Sequence, residues 1–345
     1  MKIPRTAIHL VIGVEAVVLI LVLVISILNP VKDAVTKNDF KDNSQNRAED
    51  SAEKETELNT EDDVVSTITF SDAVISKVAG MSLEQKVAQM FVTTPEQLTG
   101  MGRVTVTGNT TKNAISAIPV GGLVYSVLNF EGAAQTASMT KTLQTYYKEQ
   151  FGMPLFIMLA EAGGAEGSPL ASENRFEVEK SPAEIGVQND VALAASAATN
   201  IAAYMTNQGL NTNTGITGGY SDDSEVEAGM LDATILAYKE AGLYTATTEY
   251  HGAADIILLG DAQPFSDMVH ALRYEKQYQG ILFADTFTDT QSVIDAIHAG
   301  ADMVYCDTDL KATYQAVVDA VNQGTINEEL VNEAVMRILT YKGYE

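Results

Sequence analysis

The sequence predicts an α/β protein: a (β/α)8 TIM-type barrel, irregular or incomplete, preceded by one transmembrane helix and a disordered stalk. Three observations predict the barrel. Seven short apolar runs alternate with amphipathic stretches between residues 67 and 345. The alternation has the β–α spacing that builds parallel sheets. No Gly-x-Gly-x-x-Gly follows any run, which counts against an open dinucleotide-binding sheet.

The elements follow in order. Residues 1–6 carry Lys2 and Arg5 and read as a short cytoplasmic N-terminus. Ala7 to Leu28 is almost unbroken Val, Ile, Leu and Ala, long enough to span a bilayer as a helix. No Ala-x-Ala cleavage site follows; Asn29-Pro30-Val31-Lys32 comes instead, so an uncleaved anchor is expected rather than a signal peptide. Glu15 is an expensive residue inside such a span, and Lys32, Lys37 and Lys41 pull against the orientation that Lys2 and Arg5 favour. Residues 29–66 are polar and acidic. Runs such as Glu53-Lys54-Glu55-Thr56-Glu57 cannot bury a core and read as a disordered linker. The expected location is therefore a single-pass membrane protein with its folded domain, 67–345, outside the cytoplasm.

Within that domain, strands are expected at Gly121–Tyr125, Pro154–Ala160, Leu210–Thr214, Tyr244–Glu249, Asp255–Gly260, Ile281–Asp285 and Met303–Asp307. Helices are expected near Gly132–Glu149, Asp190–Asn207, Ser224–Ala241, Ser266–Gln277, Thr288–Ala299, Leu310–Asn322 and Asn327–Tyr341.

Composition narrows the partners. The chain has 46 acidic against 21 basic residues, a net charge of −25, and no basic stripe. Phosphate backbones are bound by clustered Lys and Arg, so nucleic acid is not an expected partner. Cys306 is the single cysteine, so no intrachain disulfide can form, and its apolar neighbours read it as a buried strand residue. The four histidines form no His-x-x-x-His pair, and no metal site or cofactor is expected.

Polar residues stand where strands give way to helices: Glu161, Asn213, Glu249, Asp261, Asp285 and Asp307. In a barrel these ends share one rim, where sites are built. Asp and Asn at such junctions also cap helices. Capping is the preferred reading for Asp307. After Asp285, the cap could equally fall to Thr286, Thr288 or Asp289.

The order of motifs resembles glycoside hydrolase family 3, in its single-domain β-N-acetylglucosaminidase branch. Met81–Phe91 resembles the family's opening helix, and Pro119–Tyr125 its first barrel strand, with Asn129 following. Pro154-Leu155-Phe156-Ile157 leading to Gly163-Gly164 resembles the strand before the family's Asp-Gln-Glu-Gly-Gly. Gly209-Leu210-Asn211-Thr212-Asn213 is similar to its Gly-Ile-Asn-x-Asn strand. Pro264-Phe265-Ser266, Gly280–Asp285, Ala299–Met303 and the helix containing Val335–Leu339 continue the series, which covers roughly residues 75–343.

The resemblance implies retaining hydrolysis of terminal β-N-acetylglucosamine from cell-wall glycans, with Asp285 at the nucleophile position. It also implies a His as proton donor, two residues after an Asp, on a loop following Lys-His-Phe-Pro-Gly. Here that region reads Thr247-Thr248-Glu249-Tyr250-His251-Gly252, and the Asp-x-His loop is missing. The acid then falls to His251 or Glu249, with Asp261 a further carboxylate; the preferred reading of His251 is a turn residue before Gly252. Glu161, Asn213, Tyr250 and Asp261 are the candidate sugar contacts. Ala160 stands where the family has the Asp that binds sugar hydroxyls, and Thr214–Gly219 lacks the family's Ala-Pro-Val-x-Asp. These departures lead to an expectation of weakened or absent hydrolysis, the alternative being a non-catalytic sugar- or peptidoglycan-binding scaffold of the same fold.

Overall fold

The computed structural model describes residues 69–161, 181–260, 264–285, 287 and 289–344. The expected anchor (7–28), the acidic linker (29–66) and Asp261 lie outside the described residues. Among the described residues no helix is long and apolar enough to cross a membrane.

Two helices lead into the barrel, α1 (Asp72–Ala79) and α2 (Leu83–Met90). Ser82 and Gln85 close a reciprocal capping box at the start of α2. Strand β1 (Phe91–Thr93) follows without a loop. It was not among the seven expected strands, because three residues continuous with an apolar helix face carry no period of their own. Gly121–Tyr125 therefore contributes the second strand, not the first as the resemblance suggested.

Helices α3 (Pro95–Thr99) and α4 (Asn109–Ala117) lead to β2 (Gly122–Tyr125). Then come α5 (Ala133–Phe151), β3 (Phe156–Leu159), α6 (Pro182–Gly186), α7 (Val191–Asn207) and β4 (Thr212–Ile216). Helix α8 (Ser224–Glu240) precedes β5 (Tyr244–Thr247) and β6 (Ile256–Leu259). Helix α9 (Phe265–His270) ends in a π turn, Ala271–Glu275. The domain finishes with β7 (Ile281–Ala284), α10 (Thr290–His298), β8 (Met303–Tyr305), α11 (Leu310–Asn322) and α12 (Glu328–Tyr341).

All eight strands pair in parallel, in chain order, and close through β1 against β8. Strands β3, β6 and β7 are buried at every position, as strands covered on both faces must be. The pairing of β4 with β5 shifts register between Asn213 and Ile216, and the β5–β6 connection is unusual. Residues 248–255 join β5 to β6 with no helix, although Thr247 pairs with Ile257 and the link must return to the opposite end of the barrel. Parallel crossovers usually take a dozen or more residues.

The face opposite the rim is closed by two charged centres. Asp302, 1% exposed, precedes β8 and accepts hydrogen bonds from Arg273, Arg337 and the backbone N–H of Leu282. Lys342, 3% exposed, donates to Gln89 Oε1 at 3.0 Å and lies over the ring of Phe156, 5.0 Å from its centroid.

Candidate active site

Asp285 leaves β7 at the carboxyl end of the barrel, half-exposed, with its backbone N–H donating to Leu259 O at 3.3 Å. It does not cap the next helix. Asp289 does, accepting from Ser292 N at 2.9 Å. The N-cap reading also moves at β8: the cap of α11 is Asp309, which accepts from Ala312 N at 3.0 Å, and exposed Asp307 instead offers its carbonyl to Gln97 Nε2.

Glu161 follows β3, which lies four strands from β7 and so on the opposite side of the barrel. It is 1% exposed and lines a small cavity with Tyr220, Thr234 and Tyr238. Thr234 and Tyr238 belong to α8, so this carboxyl faces the helix layer rather than the barrel axis. Asn213, fully buried in β4, clamps the end of β3: its Oδ1 accepts from Glu161 N at 3.0 Å and Gly215 N at 2.9 Å, and its Nδ2 donates to Glu161 O at 3.0 Å. The approach is close enough to require glycine. A Cβ on Gly215 would stand 2.5 Å from Glu161 N. The Tyr238 hydroxyl adjoins Asn213 and Glu161, and its burial pushes its pKa well above the ordinary tyrosine value.

The β5–β6 link places the remaining residues. Glu249 stays beside the end of β5, exposed, its carbonyl accepting from Thr247 Oγ1 at 2.8 Å. Tyr250 has already turned down the barrel wall. It meets Tyr278 edge-on at 6.1 Å, and Tyr278 precedes β7 at the far end and donates to Ala254 O at 3.1 Å. His251 pairs through Nε2 with Asp232 Oδ1 on α8 at 2.9 Å, and its Nδ1 accepts from Ala253 N at 3.3 Å. Lys239 of α8 anchors the same link through Ala253 O and Asp255 Oδ1. The chain thus keeps Asp285 and Glu249 at the carboxyl end, sends Tyr250 and His251 down the outer wall, and turns Glu161 outward. Among the described residues no group of His, Cys, Asp and Glu is arranged to hold a metal ion.

Sequence reasoning missed the Tyr220–Thr234–Tyr238 wall around Glu161, in which Tyr220 and Thr234 hydroxyls lie 2.7 Å apart. The available signal was helical: Thr234 and Tyr238 are four residues apart and so share one face of α8.

The fold and rim together define a closed parallel (β/α)8-type barrel with a strand-end carboxylate on the rim. Solved structures share that fold. A glycoside hydrolase family 3 β-N-acetylglucosaminidase from Paenibacillus sp. str. FPU-7 aligns with a TM-score of 0.66 and 20% identity over 77% of this chain and 63% of that one. LpqI of M tuberculosis aligns at 0.63 and 15% identity, over 80% of this chain and 98% of its own. A β-N-acetylhexosaminidase from Beutenbergia cavernae DSM 12333 aligns at 0.59 and 18% identity, over 77% and 99%. The chain therefore spans less than two thirds of the Paenibacillus enzyme but nearly all of the other two. No protein-family model and no curated protein matches the sequence. At these identities the likeness is one of fold, the barrel of the family 3 β-N-acetylglucosaminidases.

Proposed function

We propose that this domain is a glycan-binding barrel of the family 3 glycosidase type, held outside the cytoplasm by its N-terminal helix, in which hydrolysis is weakened or lost. The observation that carries the reading is the β5–β6 link. A carboxylate that attacks a sugar needs a proton donor for the leaving oxygen, and paired carboxyls in retaining enzymes stand about 5–5.5 Å apart. The resemblance puts that donor on a loop after β5, and here residues 248–255 are spent on crossing the barrel wall. His251 is engaged with Asp232. Ala160, at the end of β3, has no group with which to hold a sugar hydroxyl.

The names of the fold relatives support an N-acetylglucosamine-containing glycan as the ligand class, which we extend to peptidoglycan fragments. The apolar run at 7–28 supports the anchor. Isothermal titration of residues 67–345 with muropeptides and chitin oligosaccharides tests the reading. Saturable binding, weakened by Asp285→Ala, is expected; absence of binding to either glycan contradicts it. A second reading, a working hydrolase with Glu249 as acid, is favoured by the position of Glu249 beside the end of β5, at the same end of the barrel as Asp285.

A further inference from the structure

The face opposite the rim holds a polar centre that the rim chemistry does not use. A cavity of about 320 Å³ opens between α9, the residues leading into β8, and α12. Arg273 and Arg337 line it, with exposed Ser266, His270 and Glu333 around them.

The two guanidiniums share one carboxylate, Asp302. Arginine stays protonated at any working pH, so the cluster keeps one positive charge that Asp302 does not balance. Arg273 is the better satisfied of the two, donating also to the carbonyls of Tyr278 and Gly280 at 2.7 Å each. Arg337 is not. Its side chain is 12% exposed, only Nη1 is hydrogen-bonded, and Nε is buried with no partner. Glu333 lines the cavity but makes no ion pair with either arginine among the described residues. The His270 ring is stacked on Tyr274 at 4.7 Å. Burying a charge without a full set of partners is costly. A guanidinium fork with unused donors matches the paired oxygens of phosphate and carboxylate. In a chain of net charge −25, two arginines line this one concave site, against two carboxylates, Asp302 and Glu333.

We propose that the cavity binds a small oxyanion, the phosphate or carboxylate group of a small soluble ligand, through Arg337 and Arg273. The site is independent of the sugar reading at the rim, and its volume sits at the lower end of ligand pockets.

The test is a titration of the full chain with inorganic phosphate, and separately with acetate, at ionic strength held constant with chloride. Melting temperature and calorimetric heat are the readouts. A saturable response to at least one anion is expected, and which anion responds assigns the ligand's headgroup. Ser266→Asp places a carboxylate beside the cavity without touching the Asp302 cluster. It is expected to fold normally and to raise the apparent Kd about tenfold or more. Arg337→Lys keeps the charge, loses the fork, and is expected to weaken binding similarly. No saturable response to either anion overturns the proposal, as does a response that both variants leave unchanged.

Discussion

Lys342 offers the sharpest energetic test of the barrel's construction. It is buried beneath the barrel with no carboxylate paired to it among the described residues, and burial lowers its pKa from the ordinary 10.5 to about 7. At about 1.36 kcal/mol per pH unit, that corresponds to roughly 5 kcal/mol of destabilisation when the folded protein must carry the charge. The sign follows from proton counting. Between about pH 7 and 10.5 the unfolded chain binds the proton and the folded one does not, so stability rises with pH across that window. Below about pH 7 both states are protonated and the full cost persists. Lys342→Met removes the charge and preserves the length, but leaves Gln89 Oε1 without the donor it now has at 3.0 Å. That loss costs about 1–3 kcal/mol. The net expectation is a stabilisation of about 2–4 kcal/mol at about pH 6, turning to a small destabilisation by about pH 10. Urea unfolding of parent and variant at both pH values measures it. A destabilised variant at low pH, or a difference that does not change with pH, would refute the reasoning about a buried ammonium.

Three further outcomes are expected. Asp302→Asn leaves Arg273 and Arg337 without their carboxylate and should cost about 3–5 kcal/mol in urea unfolding; a loss under about 1 kcal/mol would mean the cluster is already compensated. Gly215→Ala forces a Cβ against the backbone of Glu161 and should cost about 1–3 kcal/mol by the same measurement, so an unchanged midpoint would contradict the close β3–β4 approach. His251→Ala removes the 2.9 Å contact from Nε2 to Asp232, whose side chain is 64% exposed. It should cost less than about 1 kcal/mol and leave glycan binding unchanged, and a large loss of binding would restore His251 to the site.

The long helices were legible because their ends are written in the sequence. Asp190, Asp223, Asp289, Asp309 and Asn327 each cap a helix through a side-chain oxygen, and observed starts fall within a residue or two of those expected. Strand β1 was not legible, since Phe91-Val92-Thr93 is too short to show a period. Rim positions could be anticipated from the strand ends, but side-chain direction could not. Glu161 and Asp285 look alike as acids after apolar runs, yet one is enclosed beside α8 and the other lies half-exposed. The Asp302 cluster escaped notice because its partners lie 29 and 35 residues away in the chain. The short β5–β6 link was visible as a missing loop. What the sequence did not reveal was where the link goes, because the partners of Tyr250 and His251, Tyr278 and Asp232, come from other elements.

The most direct test of the central claim is turnover. Residues 67–345 and their Asp285→Asn variant would be assayed for release of N-acetylglucosamine from an aryl glycoside and from muropeptides. The account predicts little or no release from the parent and none from the variant, with both folded and the parent still binding glycan. Brisk turnover by the parent that disappears in the variant would contradict it, and would favour the second reading, in which Glu249 supplies the proton.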